Sequence, residues 1–65
     1  MSVELTKKEW SMLRPFVKVL QNIGELKYEV SECGHGCVYL EIYDNTEFAV
    51  MGINHQLDWI KGVLA

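Results

Sequence analysis

The hydrophobic and polar positions of residues 7–23 repeat with the period of an amphipathic helix. A capping box, Thr-Lys-Lys-Glu, opens this segment, so that the Thr6 hydroxyl can accept from the Glu9 amide while the Glu9 carboxylate reaches back. The apolar residues that follow share one half of the helical wheel: Trp10, Met12, Leu13, Phe16, Val17, Val19, Leu20 and Ile23. We therefore predict a helix over residues 7–23. Pro15 either bends it or divides it into two short helices that meet at Arg14.

Two later segments alternate apolar and polar residues with a period of two, which is typical of half-buried strands. These are residues 26–31 and 38–43, and the segment between them, Cys-Gly-His-Gly-Cys, is typical of a hairpin connection. A three-residue loop centred on His35 pairs Val30 with Leu40. This register places the apolar side chains of both strands on one face.

The last twenty-two residues of the chain contain a turn, a short apolar run and a second helical pattern. Residues 44–46, Asp-Asn-Thr, predict a turn, and residues 47–51 predict a third strand whose register the sequence leaves open. Asn54 is a favourable N-cap, and the apolar residues after it share one side of a wheel. We therefore predict that a second helix begins at Asn54 and frays near Gly62.

Together these elements predict an α+β fold class with the order αβββα. A three-stranded antiparallel meander with one apolar face would carry both helices packed on that face. We expect residues 1–65 to form a single small globular domain, because a chain of 65 residues is too short for two cores.

The predicted order of helix, three strands and helix resembles that of the double-stranded-RNA-binding domain, a family of similar length. That family grips the phosphate backbone with a lysine-rich start to its last helix. The matching stretch here, residues 54–59, contains no lysine, and Lys61 is the first one after it. The resemblance is therefore limited to topology and does not assign the chain to the family.

Composition adds limits on location and partners. With 49% hydrophobic residues, 23% charged residues and a net charge of −3, the chain has the character of a globular domain and not of a disordered one. No secretory signal is visible, and no unbroken apolar run approaches the ~20 residues of a membrane helix. We therefore expect a soluble, cytoplasmic protein that does not enter membranes. Six basic against nine acidic residues argue against nucleic acid as a partner.

The Cys-Gly-His-Gly-Cys segment allows three interpretations. Cys33 and Cys37 could bind zinc together with His35 and His55, could form a disulfide across the hairpin, or could be free thiols beside a tight turn. Because intracellular proteins seldom keep disulfides, we expect free thiols, no metal ion and no cofactor. A cysteine nucleophile activated by a histidine would need a pocket, for which so short a chain has little volume. We therefore expect no catalytic residues and no enzymatic activity.

The outer face of the predicted hairpin carries the candidate partner-binding residues. Glu29 is expected opposite Glu41, where like charges destabilise a strand pair modestly, and Lys27 is expected opposite Tyr43. Tyr39 lies on the same face, and tyrosine is enriched at interfaces. We hypothesise that Glu29, Tyr39, Glu41 and Tyr43 bind a protein partner or a second copy of the chain, giving a homodimer; the alternative is a merely solvated sheet face.

The function that these features predict is that of a small intracellular protein-binding regulator or inhibitor. Chains of this size are often accessory products of phages or other mobile elements, and such an origin is part of the hypothesis. The alternative is a small nucleic-acid-binding regulator that uses the basic side of the first helix, which consists of Lys7, Lys8, Arg14 and Lys18.

Overall fold

A computed structural model describes all 65 residues and contains two helices and three strands in the order βαββα. The elements are β1 (Ser2–Thr6), α1 (Lys7–Asn22), β2 (Lys27–Glu32), β3 (Cys37–Tyr43) and α2 (Glu47–Leu64). The strands form one antiparallel sheet in the order β1-β3-β2. The α+β class, the three-stranded antiparallel sheet and the two helices are thus confirmed. The order αβββα and the meander are wrong, because the third strand precedes the first helix and lies at the far edge of β3.

The strand that the sequence analysis missed is β1. Its residues alternate, so that Val3 and Leu5 point towards the core, opposite Leu40 and Val38 of β3. Leu5 is fully buried. The terminal residue adds to the pairing, because Met1 exchanges two hydrogen bonds with Ile42: its ammonium group donates to the Ile42 carbonyl at 3.0 Å, and its own carbonyl accepts from the Ile42 amide at 2.8 Å.

Residues 47–51, which were predicted as the third strand, form the first turns of α2. The N-cap is Thr46, whose hydroxyl accepts from the Ala49 amide at 3.1 Å. The predicted N-cap at Asn54 is therefore wrong, since Asn54 lies exposed in the middle of the helix. A short apolar run such as Phe-Ala-Val-Met has no decisive period of its own, and the Thr46 cap decides its structure here.

The first helix follows the sequence prediction closely. Both hydrogen bonds of the capping box are present, at 3.0 Å from the Glu9 amide to the Thr6 hydroxyl and at 2.8 Å from the Thr6 amide to the Glu9 carboxylate. The helix continues through Pro15 without a break, so the alternative of two short helices is wrong. It ends at Asn22, one residue before the predicted end, with Ile23 as its C-cap. Gly24 follows with a φ of 81°, a left-handed conformation that favours glycine.

The hairpin of β2 and β3 has the predicted register. Val30 lies opposite Leu40, and Glu29 lies opposite Glu41. The turn between the strands depends on its two glycines, because Gly34 and Gly36 have φ angles of 84° and 83°. Val30 nevertheless stays exposed at the outer edge of the sheet, although it was expected in the core.

The core lies between the inner face of the sheet and the two helices, so both helices pack on the same face of the sheet. Every buried residue is apolar. The main cluster contains side chains from the sheet side and from both helices: Leu5, Leu26, Leu40 and Ile42 from the sheet side, Leu13, Val17 and Leu20 from α1, and Ala49, Ile53, Leu57 and Ile60 from α2.

Neither helix combines the length and the apolar character that a membrane span requires. The βαββα order also removes the topological basis of the resemblance to the double-stranded-RNA-binding domain.

Candidate functional site

The outer face of the sheet, which we call the acidic face, carries all four residues predicted to bind a partner. Glu29 on β2 and Tyr39, Glu41 and Tyr43 on β3 are all exposed. They share this face because opposite residues in an antiparallel pair point the same way, and because β3 directs Val38, Leu40 and Ile42 into the core. Strand β1 extends the same face by Ser2 and Glu4, which lie opposite Glu41 and Tyr39.

Three of the four predicted residues meet in one shallow depression. Glu29, Tyr39 and Glu41 line it, and its volume is about 320 Å³. Its other lining residues are Ser2, Val30, Ser31 and Leu40. The Ser2 hydroxyl donates to the Glu41 carboxylate. Tyr43 is beside this depression, since its hydroxyl donates to Glu29 Oε1 over 3.5 Å, a long hydrogen bond.

A second depression of about 370 Å³ lies where the end of β3 and the start of β2 meet the loop after α1, and it is lined by Tyr43, Lys27, Asp44, Gly24 and Tyr28 among others. The structure therefore divides the predicted set, because Tyr39 lines the first depression and Tyr43 lines the second. Both depressions are open to solvent, so they suit side chains of a partner better than a small molecule that must be enclosed.

The acidic face carries more negative than positive charge. Glu29 and Glu41 are directly opposite each other, which brings their Cβ atoms to ~4.5–5.5 Å, and Glu4 is one diagonal step from Glu41. The only cation on this face, Lys27, pairs with Asp44 at 3.5 Å. The other ion pair of the molecule joins Lys7 and Glu32 at 3.8 Å. Glu4, Glu29 and Glu41 therefore take part in neither ion pair.

Cys33 and Cys37 form a disulfide, so the expectation of free thiols is wrong. The two glycines of the turn fold the chain back so tightly that the Cα atoms of the cysteines are 5.5 Å apart, within the range that a disulfide bridges. The Cys33 sulfur also accepts hydrogen bonds from the His35 and Cys37 amides, at 3.3 and 3.2 Å. With both sulfurs bonded, neither zinc binding nor nucleophilic attack by a thiolate is open to this turn, and no group of three or more metal-ligating side chains occurs in the structure.

Sequence reasoning missed a second exposed surface, on the helices. Phe48, Met51, Trp59 and Val63 of α2 expose 71%, 66%, 58% and 54% of their surface, more than the 48% of Tyr39. They were missed because residues 47–51 were predicted as a strand and because Trp59 and Val63 were placed on the buried side of the helix. The signal that reveals them is the Thr46 cap, since a helix wheel begun at residue 47 separates these residues from the buried ones.

The basic side of α1 also exists as the sequence suggested. Lys7, Arg14 and Lys18 are exposed and share one face, because their spacings of seven and eleven residues are close to whole turns. Lys8 is exposed about one quarter turn away. This surface is separate from the acidic face, and one of its members, Lys7, is already paired with Glu32.

Comparisons with protein-family models, with curated proteins and with solved structures found no match to this chain. The functional argument therefore depends on the geometry and charge of the chain itself.

Proposed function

We propose that this protein is a small protein-binding regulator or inhibitor whose acidic face holds a basic surface of its partner. One observation carries the proposal: Glu4, Glu29 and Glu41 lie close together beside two exposed tyrosines on a sheet face that no other element covers. In an isolated domain the repulsion between the opposed carboxylates of Glu29 and Glu41 works against stability.

A partner that presents arginine or lysine relieves this repulsion. An arginine guanidinium can bind one or two carboxylates with charge-assisted hydrogen bonds. Tyr39 and Tyr43 complete such a site, because an aromatic ring attracts a cation above its face and supplies apolar contact area. The depression between Glu29, Tyr39 and Glu41 has room for one such side chain.

The same charges favour a protein over the other candidates. Phosphate groups of a nucleic acid would be repelled by three carboxylates, so nucleic-acid binding would have to use the basic side of α1 instead. Catalysis would need an enclosed pocket with a positioned acid, base or nucleophile, and the open shape of both depressions favours binding. We accordingly propose no catalytic residue and no cofactor.

Two further parts of the hypothesis stay predictions: the cytoplasmic location and the origin from a phage or another mobile element. The disulfide between Cys33 and Cys37 weighs against a cytoplasmic location, because cytosolic thiols are generally kept reduced.

The proposal is tested with a fluorescent deca-arginine peptide as the basic probe. Fluorescence anisotropy should show that Glu29→Gln with Glu41→Gln weakens binding about tenfold, as expected for two lost surface ion pairs. The matched control, Glu47→Gln with Asp58→Asn, removes the same charge from α2 and should change the affinity less than about twofold. Tyr39→Ser with Tyr43→Ser should weaken binding while the circular dichroism spectrum stays unchanged.

Equal loss in the Glu29/Glu41 variant and in the control would mean that only net charge matters, and the proposal would be wrong. Generic duplex DNA is the second probe. Two results together would favour the nucleic-acid alternative. The chain would bind DNA in a salt-dependent way that Arg14→Gln with Lys18→Gln abolishes, and the Glu29/Glu41 variant would bind the peptide as tightly as the wild type does.

A further inference from the structure

The helix α2 has two apolar faces, whereas a helix on the surface of a small domain ordinarily has one. Its buried face packs on the core. A second line of residues, which we call the α2 stripe, follows the spacing i, i+3, i+7, i+11 and i+15, which keeps its members within about 60° of one direction on the wheel. The α2 stripe consists of Phe48, Met51, His55, Trp59 and Val63, and all five are exposed.

The neighbouring helix widens this apolar surface. Phe16 of α1 lies against Gly52 of α2, where an added Cβ would be only 3.0 Å from the ring. Val19 and Ile23 lie on the Phe16 side of α1, nearer its C-terminal end, and both are largely exposed. Because α1 and α2 each pack on the same sheet and run in opposite directions, these two residues are beside the Phe48 end of the stripe.

We propose that the α2 stripe is the contact between two copies of this chain, with the two α2 helices antiparallel about a twofold axis near His55. The size of the surface supports a second copy. The apolar side chains of the stripe and the two neighbouring residues of α1 each leave more than half of their surface exposed: Phe48, Met51, Trp59, Val63, Val19 and Ile23. Together they present roughly 600–700 Å², close to the ~800 Å² that each partner of a stable interface buries.

The order of side chains along the stripe fits an antiparallel copy of itself. With His55 at the axis, Met51 of each copy lies opposite Trp59 of the other, a pairing of thioether and aromatic ring that is favourable. Phe48 lies opposite Gly62, which has nothing within 4 Å above its Cα and so leaves room for a phenyl ring. A twofold contact requires such self-complementarity.

Charge also favours this surface for self-association over the acidic face. Two acidic faces would bring like carboxylates together, whereas the α2 stripe contains no carboxylate. An antiparallel arrangement also sets the dipoles of the two α2 helices in opposite directions, which is favourable.

Such a dimer leaves both acidic faces free on its outer sides. It would therefore be able to hold two basic segments of a partner at once, and linked binding events raise the apparent affinity. The dimer does not depend on the proposed function, since the acidic face and the α2 stripe are on opposite sides of the molecule.

Sedimentation equilibrium of the full chain tests the proposal. The wild type should sediment at twice the chain mass of 7.5 kDa, and Met51→Lys with Trp59→Lys should sediment as a monomer with an unchanged circular dichroism spectrum. The control Tyr39→Lys with Tyr43→Lys adds the same charge to the acidic face and should stay dimeric. A monomeric wild type, or a dimer that only the tyrosine variant breaks, would overturn the proposal.

A cysteine placed on the axis tests the geometry. The variant His55→Cys should form a covalent dimer with copper phenanthroline as oxidant, because residue 55 meets its own copy, whereas Asn54→Cys on the polar side should not. Equal crosslinking of the two variants would contradict the antiparallel arrangement. A monomeric wild type that floats with phosphatidylcholine vesicles would show instead that the α2 stripe binds a lipid surface.

Discussion

The start of α2 can be tested by removing each of its two candidate caps in turn. In the structure the Thr46 hydroxyl accepts from the Ala49 amide at 3.1 Å and donates to the Glu25 carboxylate at 2.6 Å. The substitution Thr46→Val keeps the shape of the side chain and removes both bonds. An N-cap is worth about 1 kcal/mol, and a hydrogen bond to an exposed charged group adds a fraction of that, so we expect a loss of ~1–2 kcal/mol of unfolding free energy.

The variant Asn54→Ala should change stability in the opposite direction. Asn54 is exposed inside the helix and makes no hydrogen bond with its side chain. Replacing asparagine by alanine at such a position gains up to about 0.5 kcal/mol of helix propensity. Urea denaturation followed at 222 nm measures both changes, provided that the slope of the unfolding free energy against urea stays constant. Loss of an N-cap costs about 1 kcal/mol. The reasoning is refuted if Asn54→Ala shows a loss of that size while Thr46→Val leaves the unfolding free energy unchanged.

Two further predictions concern the core and the disulfide. Leu40→Ala removes a fully buried side chain from the central strand and should lower the unfolding free energy by ~2–5 kcal/mol. A thermal melt would show this as a large fall in the midpoint or as loss of the transition, and an unchanged melting temperature would contradict the described core. Replacing Cys33 and Cys37 by serine should lower the unfolding free energy by about 2 kcal/mol, as expected for a crosslink that closes a very short loop. Alkylation of the unfolded wild type without reductant should label no cysteine, and a doubly alkylated product would contradict the disulfide.

Local signals made part of the fold predictable. The capping box of α1 involves residues three positions apart, and the hairpin register follows from a short glycine-containing turn and two alternating strands. By contrast, β1 pairs with β3 across more than thirty residues, so that no turn in the sequence points to it. Part of the support for the Thr46 cap is also distant in sequence, because the Thr46 amide donates to the Glu25 carbonyl and the Thr46 hydroxyl donates to the Glu25 carboxylate, in the loop before β2.

The candidate surfaces differ in the same way. The acidic face could be predicted because Glu29 and Glu41 are set opposite each other by the hairpin register alone. The α2 stripe could not be predicted from a helix that was thought to begin at Asn54, since Phe48 and Met51 were then outside it. The disulfide was missed because a general preference of intracellular proteins was given more weight than the short distance that Gly34 and Gly36 impose on the flanking cysteines.

The acidic face is tested most directly by nuclear magnetic resonance of the ¹⁵N-labelled chain during titration with deca-arginine. Our account predicts that the amide shifts concentrate on the outer-face positions of β2 and β3, including Glu29, Tyr39 and Glu41, and on Glu4 of β1. Amides of the exposed side of α2 should stay in place at the same peptide concentrations. Shifts spread evenly over all exposed carboxylates, or confined to residues outside the sheet, would contradict the claim that this face is the binding site.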